Sequence, residues 1–163
     1  MSESRVPTST EIRGVFLPVA DRQILLPNAA VAELIGYQEP EEDPAAPDWF
    51  LGHIPWRGKR IPLVSLERAV GRPDAVSQSK RVRIAVLNTL NGNADLPYIG
   101  LLSTGVARLA RINAKTLAQD PEDDLESPLV LESVRVDEVR AWIPDLDELE
   151  KLVAGFCASD ETV

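Results

Sequence analysis

No stretch between residues 12 and 144 offers the roughly 10–15 residues of helical periodicity that a βαβ unit places between its strands. Turn signals recur instead at intervals of roughly 8–12 residues, and the segments between them alternate apolar and polar side chains. That punctuation confines the chain to an all-β barrel or sandwich with short helices. Nine or ten short strands and three short helical pieces account for the text.

The strands come mostly in pairs. Residues 11–20 and 22–27 flank a turn at Ala20, Asp21 and Arg22. Asn28 is placed to cap a short helical turn, with Ala29, Val31, Leu34 and Ile35 on its apolar side and Pro27 just before it. The acidic run 38–48 holds three prolines, which exclude the interior of a strand or helix there. A hairpin follows, His53–Trp56 against Arg60–Leu66, and Gly58 supplies the positive φ its turn demands. Leu66–Gly71 is one helical turn closed by Gly71. Lys80–Leu90 is the clearest strand, linked through residues 91–95 to Leu96–Ser103. Residues 104–113 are expected as a further strand, although Val106, Leu109 and Ile112 also fit a helix face by spacing. Residues 127–144 give two more strands. Pro144 opens a helix, with Asp145 and Asp147 at its positive end and Leu146, Leu149, Leu152 and Val153 as the buried stripe. The expected organisation is a disordered lead-in over 1–10, a folded domain over 11–153 and a flexible tail over 154–163.

Composition removes whole classes of function. A chain of 163 residues, 44% hydrophobic and 26% charged, reads as globular, with one domain or at most two small ones. A net charge of −9 argues against gripping nucleic-acid phosphates or an anionic membrane. One cysteine permits no disulfide within the chain, the first residues lack an apolar core after a basic start, and no run approaches the ~20 apolar residues of a membrane span. A cytoplasmic location is expected. His53 and Cys157 are too few for a His/Cys metal cluster. The nine glycines stand singly, so no phosphate-cradling loop is present. Asp120, Glu122, Asp123 and Asp124 lack the ligand order and glycine of an EF-hand. No catalytic residue, metal or cofactor is assigned. Charge is uneven: residues 57–83 hold eight basic residues against Glu67 and Asp74, a net +6 that leaves −15 on the rest of the chain. Such a basic edge suits an acidic partner surface.

The run from Ile24 to Tyr37, and that from Pro47 to Gly71, resemble the CheW family of chemotaxis coupling proteins. The family's acid corresponds to Glu33, its loop proline to Pro47, its apolar–glycine pair to Leu51–Gly52, its xRG turn to Trp56–Arg57–Gly58, and its following strand to Ile61–Pro62–Leu63–Val64–Ser65–Leu66. Gly100, Gly105 and Val106 fall in step with the next strands. The resemblance runs from about Ile12 to Leu152. It implies two SH3-like five-stranded β-barrels packed on a hydrophobic seam, and an adaptor that bridges a chemoreceptor tip to the regulatory domain of a CheA-like histidine kinase. One barrel would contact the kinase, and a groove between the barrels would take the receptor's helix hairpin. The chain departs from the family at Pro55–Trp56, where Asn–Leu is usual, at Ser65 and Thr104, where acids are usual, and in lacking a glycine-rich stretch before the final strand. These departures mark a divergent member, of the kind that serves chemosensory control of type IV pilus twitching motility.

The candidate partner-binding residues are Glu33, Trp56, Arg57, Gly58 and Pro62. Glu33 and Arg57 are expected to form an ion pair on a partner-facing surface, since a planar guanidinium holds one carboxylate and still offers donors to another. Trp56 beside Arg57 has the composition of an interface hot spot, whereas Trp49 is expected to pack under the acidic loop. Pro62 marks an edge or a bulge, because a central strand uses its N–H groups. Ile61, Leu63 and Val64 are expected in the core. The competing reading is a barrel that binds a small molecule or second messenger, with the basic segment holding a phosphate. The chain lacks the tandem-arginine and DxSxxG-like pair that would mark such a sensor.

Overall fold

The computed structural model describes residues 11–19, 22–71, 82–121, 123 and 127–161. The expected lead-in, the turn residues 20 and 21 and the loop 72–81 lie outside these, as do Glu122 and Asp124. Eleven strands are formed among the described residues: β1 (Ile12–Val19), β2 (Arg22–Pro27), β3 (Val31–Gly36), β4 (Phe50–Trp56), β5 (Lys59–Val64), β6 (Arg83–Asn88), β7 (Tyr98–Ser103), β8 (Arg108–Ile112), β9 (Leu117–Gln119), β10 (Val130–Val136) and β11 (Val139–Pro144). A 3-10 turn (Asn28–Ala30) and the helices α1 (Leu66–Ala69) and α2 (Leu146–Glu161) complete the chain.

The strands form two packed β subdomains. One sheet has the order β8-β1-β2-β11-β10-β9, the other β3-β6-β7-β5-β4. Without β9 the two orders are the same up to a circular permutation of the chain. Each has a central parallel pair, β2 with β11 and β5 with β7, flanked by hairpins. Each also sends its last hairpin strand into a capped helix. Ser65 Oγ accepts the N–H of Arg68 at the start of α1, and Asp145 Oδ1 accepts that of Glu148 at the start of α2.

Both faces of the central strands are buried, which is why they read as near-continuous apolar runs. On β6, Ile84 and Val86 face the core of their own subdomain with Ile54, Ile61, Leu63 and Leu102. Ala85 and Leu87 face the seam, where Leu17, Ile24, Leu26, Leu101, Trp142 and Leu149 meet them. The third cluster, around Phe16, Leu25, Ile112 and Val134, fills the six-stranded subdomain. Each fully buried large side chain contributes about 1.5–3 kcal/mol, so the seam is a core in its own right.

Polar groups fasten what the apolar seam brings together. Ser103 Oγ lies 3.0 Å from the carbonyls of both Pro18 and Gly105, and the N–H of Thr104 donates to Pro18 at 2.8 Å. The carboxylates that suggest a metal loop are taken up otherwise. Asp120, buried, accepts from Arg140 at 2.7 Å and lies 3.5 Å from Arg135. Asp123 accepts from Arg22 at 3.2 Å and from the Trp142 indole at 2.9 Å.

The structure corrects several expectations. The predicted helix over Asn28–Ile35 is a single 3-10 turn followed by strand β3, because Val31–Gly36 finds a pairing partner in β6. The second sheet has five strands as expected, but the first has six: β9, exposed throughout and without an apolar pattern, is recruited by β10. Helix α2 continues to Glu161, and Phe156 packs at a tilt against Phe50 with ring centroids 4.6 Å apart. Trp49 packs edge-on against Phe50 and Phe156 at 6.0 and 6.2 Å, beside α2. Pro62 is buried on an internal strand, not on an edge. It sits one residue before the β5–β7 ladder begins at Leu63 and Gly100, where a missing N–H is tolerated.

Candidate partner-binding surface

The β4–β5 hairpin turns on two residues of positive φ, Arg57 at 50° and Gly58 at 74°. Paired positive φ values match the twist of the flanking strands. Nothing lies within 4 Å of a Cβ added at Gly58, so the backbone angle alone demands glycine there. Arginine at the preceding position is another matter. The left-handed conformation costs an ordinary L-residue roughly 1–2 kcal/mol. The equivalent hairpin of the other subdomain, β10–β11, places Asp137 at φ 56°, a residue type that tolerates this region. The chain thus has a low-cost solution in one hairpin and keeps a costly arginine in the other. Strain of that kind clusters at functional positions, which makes Arg57 a candidate.

Arg57 is anchored from two sides. Its Nη2 lies 3.1 Å from Glu33 Oε1 on β3, and its Cζ lies 4.9 Å from the centroid of the Trp56 ring. The Trp56 indole N–H donates to the same Glu33 oxygen at 2.9 Å. Tyr98, on β7, packs edge-on against Trp56 at 4.7 Å. Arg57 remains 67% exposed and Glu33 38%, so their ion pair adds only ~0–1 kcal/mol to stability. Cation–π contact adds about 0.5–1 kcal/mol at such a site.

The structure therefore brings together Glu33, Trp56, Arg57 and Gly58. Trp56 is 7% exposed, so it lies behind the surface and not on it. The sequence places it at a hairpin tip, but its ring turns inward onto Ile54, Ile61 and Tyr98. Pro62 is buried and adds nothing to the exposed face. Of the basic segment, Arg57, Lys59, Arg60, Arg68 and Arg83 are described. Arg60 is paired with Glu41 and Arg68 donates to the carbonyl of Asp48, so part of the positive charge is balanced by the acidic loop.

A second feature lies between the subdomains. A groove of about 180 Å³ is lined by Leu34 on β3, Ala85 on β6, and Gly105, Val106 and Ala107 before β8. Leu34 and Val106 are 48% and 57% exposed. Leu109, on the outer strand β8, is also exposed. The family resemblance implies a groove between the barrels, but sequence reasoning missed the residues that line this one because it gave their side chains to apolar faces. The available signal was their phase: on β3, Glu33 and Ile35 are half-buried while Leu34 between them points outward. Tyr98 was likewise missed, since nothing near it in sequence links it to Trp56. No described helix is long and apolar enough to cross a membrane.

Comparison with known proteins gives a consistent result. A family model described as a CheW-like domain matches residues 13–153. Among solved structures, the scaffolding protein TtCheW of Thermoanaerobacter tengcongensis is similar over 90% of each chain, with a TM-score of 0.70 and 21% sequence identity. No curated protein matches the sequence.

Proposed function

The chain belongs to the CheW family of chemotaxis scaffolds, and from that membership we propose that it is a non-catalytic cytoplasmic adaptor coupling a chemoreceptor tip to the regulatory domain of a CheA-like histidine kinase. The observation that carries this reading is Arg57, held at positive φ and paired with Glu33, with most of its side chain in solvent. An exposed arginine kept at a strained turn is suited to a partner and adds little to the fold. The basic Arg57 and Lys59 fit an acidic kinase surface. The groove at Leu34 and Val106 is the apolar, concave feature that fits the receptor's helix hairpin. The departures at Trp56, Ser65 and Thr104 support a side pathway, and type IV pilus twitching is the output we propose.

The test is a titration of the purified protein against the regulatory domain of the CheA-like kinase from the same organism. Micromolar or tighter binding is expected, weakened at least tenfold, a loss of about 1.4 kcal/mol, by Arg57→Ala in a chain that still folds. A folded wild-type protein that does not bind removes the kinase from the reading. Deletion of the gene is expected to impair twitching and leave swimming intact.

A further inference from the structure

Two tryptophans of this chain donate an indole N–H to a carboxylate oxygen that an arginine also reaches. In the six-stranded subdomain, Trp142 and Arg22 meet Asp123 Oδ2 at 2.9 and 3.2 Å, and the arginine side chain is only 10% exposed. In the five-stranded subdomain, Trp56 and Arg57 meet Glu33 Oε1 at 2.9 and 3.1 Å. Here the arginine faces water. The first triad is closed and fastens a loop. The second has the same chemistry but is open on its arginine side.

We propose that Trp56 is the positioning residue of this open triad, fixing Arg57 in one orientation so that its outward N–H groups meet a carboxylate of the partner. The inference rests on reading the Arg57 face as a binding surface. An exposed arginine paired only with an exposed glutamate sweeps through many rotamers and loses that freedom on binding. Trp56 removes the freedom beforehand. Its N–H fixes the Glu33 carboxylate, its ring lies beside the guanidinium, and Tyr98 holds the ring itself. One direction of the guanidinium is spent on Glu33, and the rest of its planar donor fork faces solvent, where it matches a carboxylate. Preorganisation of this kind raises affinity by lowering the entropic cost of binding. Being buried, Trp56 does so without touching the partner.

The test begins with the free, 15N-labelled protein. The exchange rate of the Arg57 guanidinium Nη–H groups, of which Nη2 meets Glu33, is measured in wild type, in Trp56→Phe, which keeps a ring but lacks the donor, and in Glu33→Ala, which removes the shared oxygen. Amide protection in β4 and β5 monitors the fold. Each variant is expected to speed the Arg57 exchange by about three- to tenfold, the range set by loss of one hydrogen bond. Glu33→Ala is a surface change, so the measurement stands even where Trp56→Phe folds poorly. Either folded variant with wild-type Arg57 exchange overturns the proposal. Against the kinase regulatory domain, Trp56→Phe is expected to weaken binding about three- to tenfold, with no further loss in a chain already carrying Arg57→Ala. Undiminished binding by Trp56→Phe also overturns it. Failure of the surface reading looks different: Arg57→Ala then binds as wild type does, while the free-chain exchange still responds to both variants.

Discussion

Glu150, buried on α2, accepts the backbone N–H of Leu90 at 2.8 Å, so a carboxylate on the C-terminal helix closes the β6–β7 loop of the opposite subdomain. Beside it, Asn91 donates to Asp147 at 2.9 Å. The seam is thus held by hydrogen bonds at its rim as well as by apolar packing at its centre. Glu150→Ala is expected to lower stability by about 1–3 kcal/mol, the usual cost of a charged hydrogen bond and its stranded partner. Urea unfolding reads this directly. A change in midpoint without a change in slope supports it, and an unshifted midpoint speaks against the clasp.

Two glycines separate close approach from backbone angle. Gly52 sits at φ 136°, and a Cβ there would clash with the carbonyl oxygen of Glu41, which bridges to His53 across the β4 edge. Gly58 has positive φ but open space. Gly58→Ala is expected to cost about 1–2 kcal/mol, from angle alone. Gly52→Ala is expected to cost more and to release the acidic loop, seen as faster amide exchange at Glu41 and His53. Equal losses at the two positions would mean that the loop moves aside freely.

Arg57→Ala and Trp56→Ala differ in kind. The first removes an exposed side chain and is expected to shift stability by no more than ~1 kcal/mol. The second empties a buried site and is expected to cost about 3–5 kcal/mol. Thermal unfolding of the two proteins checks this, and it decides whether a binding loss in Trp56→Ala reflects the surface or the fold.

The groove gives an independent lever. Leu34→Asp and Val106→Asp place charge on exposed apolar positions, so stability is expected to change by no more than ~0.5 kcal/mol. Binding of a receptor tip is expected to fall while kinase binding holds. Parallel loss of both activities would place the two partners on one surface.

Tyr37 titrates above the ordinary tyrosine value of 10.0, because partial burial and then the charges of Glu39 and Glu42 disfavour the phenolate. The sign for stability follows: the neutral phenol is favoured in the folded state, so its contribution is present below the unfolded pKa and lost as pH rises through the folded one. Phenolate absorbance, with Tyr37→Phe subtracted to remove Tyr98, measures the shift. Glu39→Gln is expected to bring the titration closer to 10.0.

The sequence makes legible what is local. Hairpins β4–β5, β6–β7 and β10–β11 follow from alternation and turn chemistry, and Glu33 with Arg57 follows from the family resemblance. What depends on distant partners is not legible. Val31, Leu34 and Ile35 fit a helix face, and only pairing with β6 makes their segment a strand. Asp123 reads as loop acidity because Arg22, its partner, lies 101 residues away. Trp56 reads as exposed because Tyr98 and Glu33, which hold it inward, are far from the turn.

The six-stranded sheet draws β1 and β2 from before the five-stranded one and β8–β11 from after it. Synthesis from the N-terminus therefore completes the subdomains in a fixed sequence. Every strand of the five-stranded unit has been made by Ser103, whereas Ile24 must wait for Trp142 before its parallel neighbour exists. Closing so long a loop is slow. During translation the nested unit stands ready first, with only β1 and β2 available to cover its seam face until the last strand and α2 arrive. A nascent chain stalled between these points would carry the Arg57 surface without its second subdomain, and it would offer its partners a hairpin with an unfinished fold behind it.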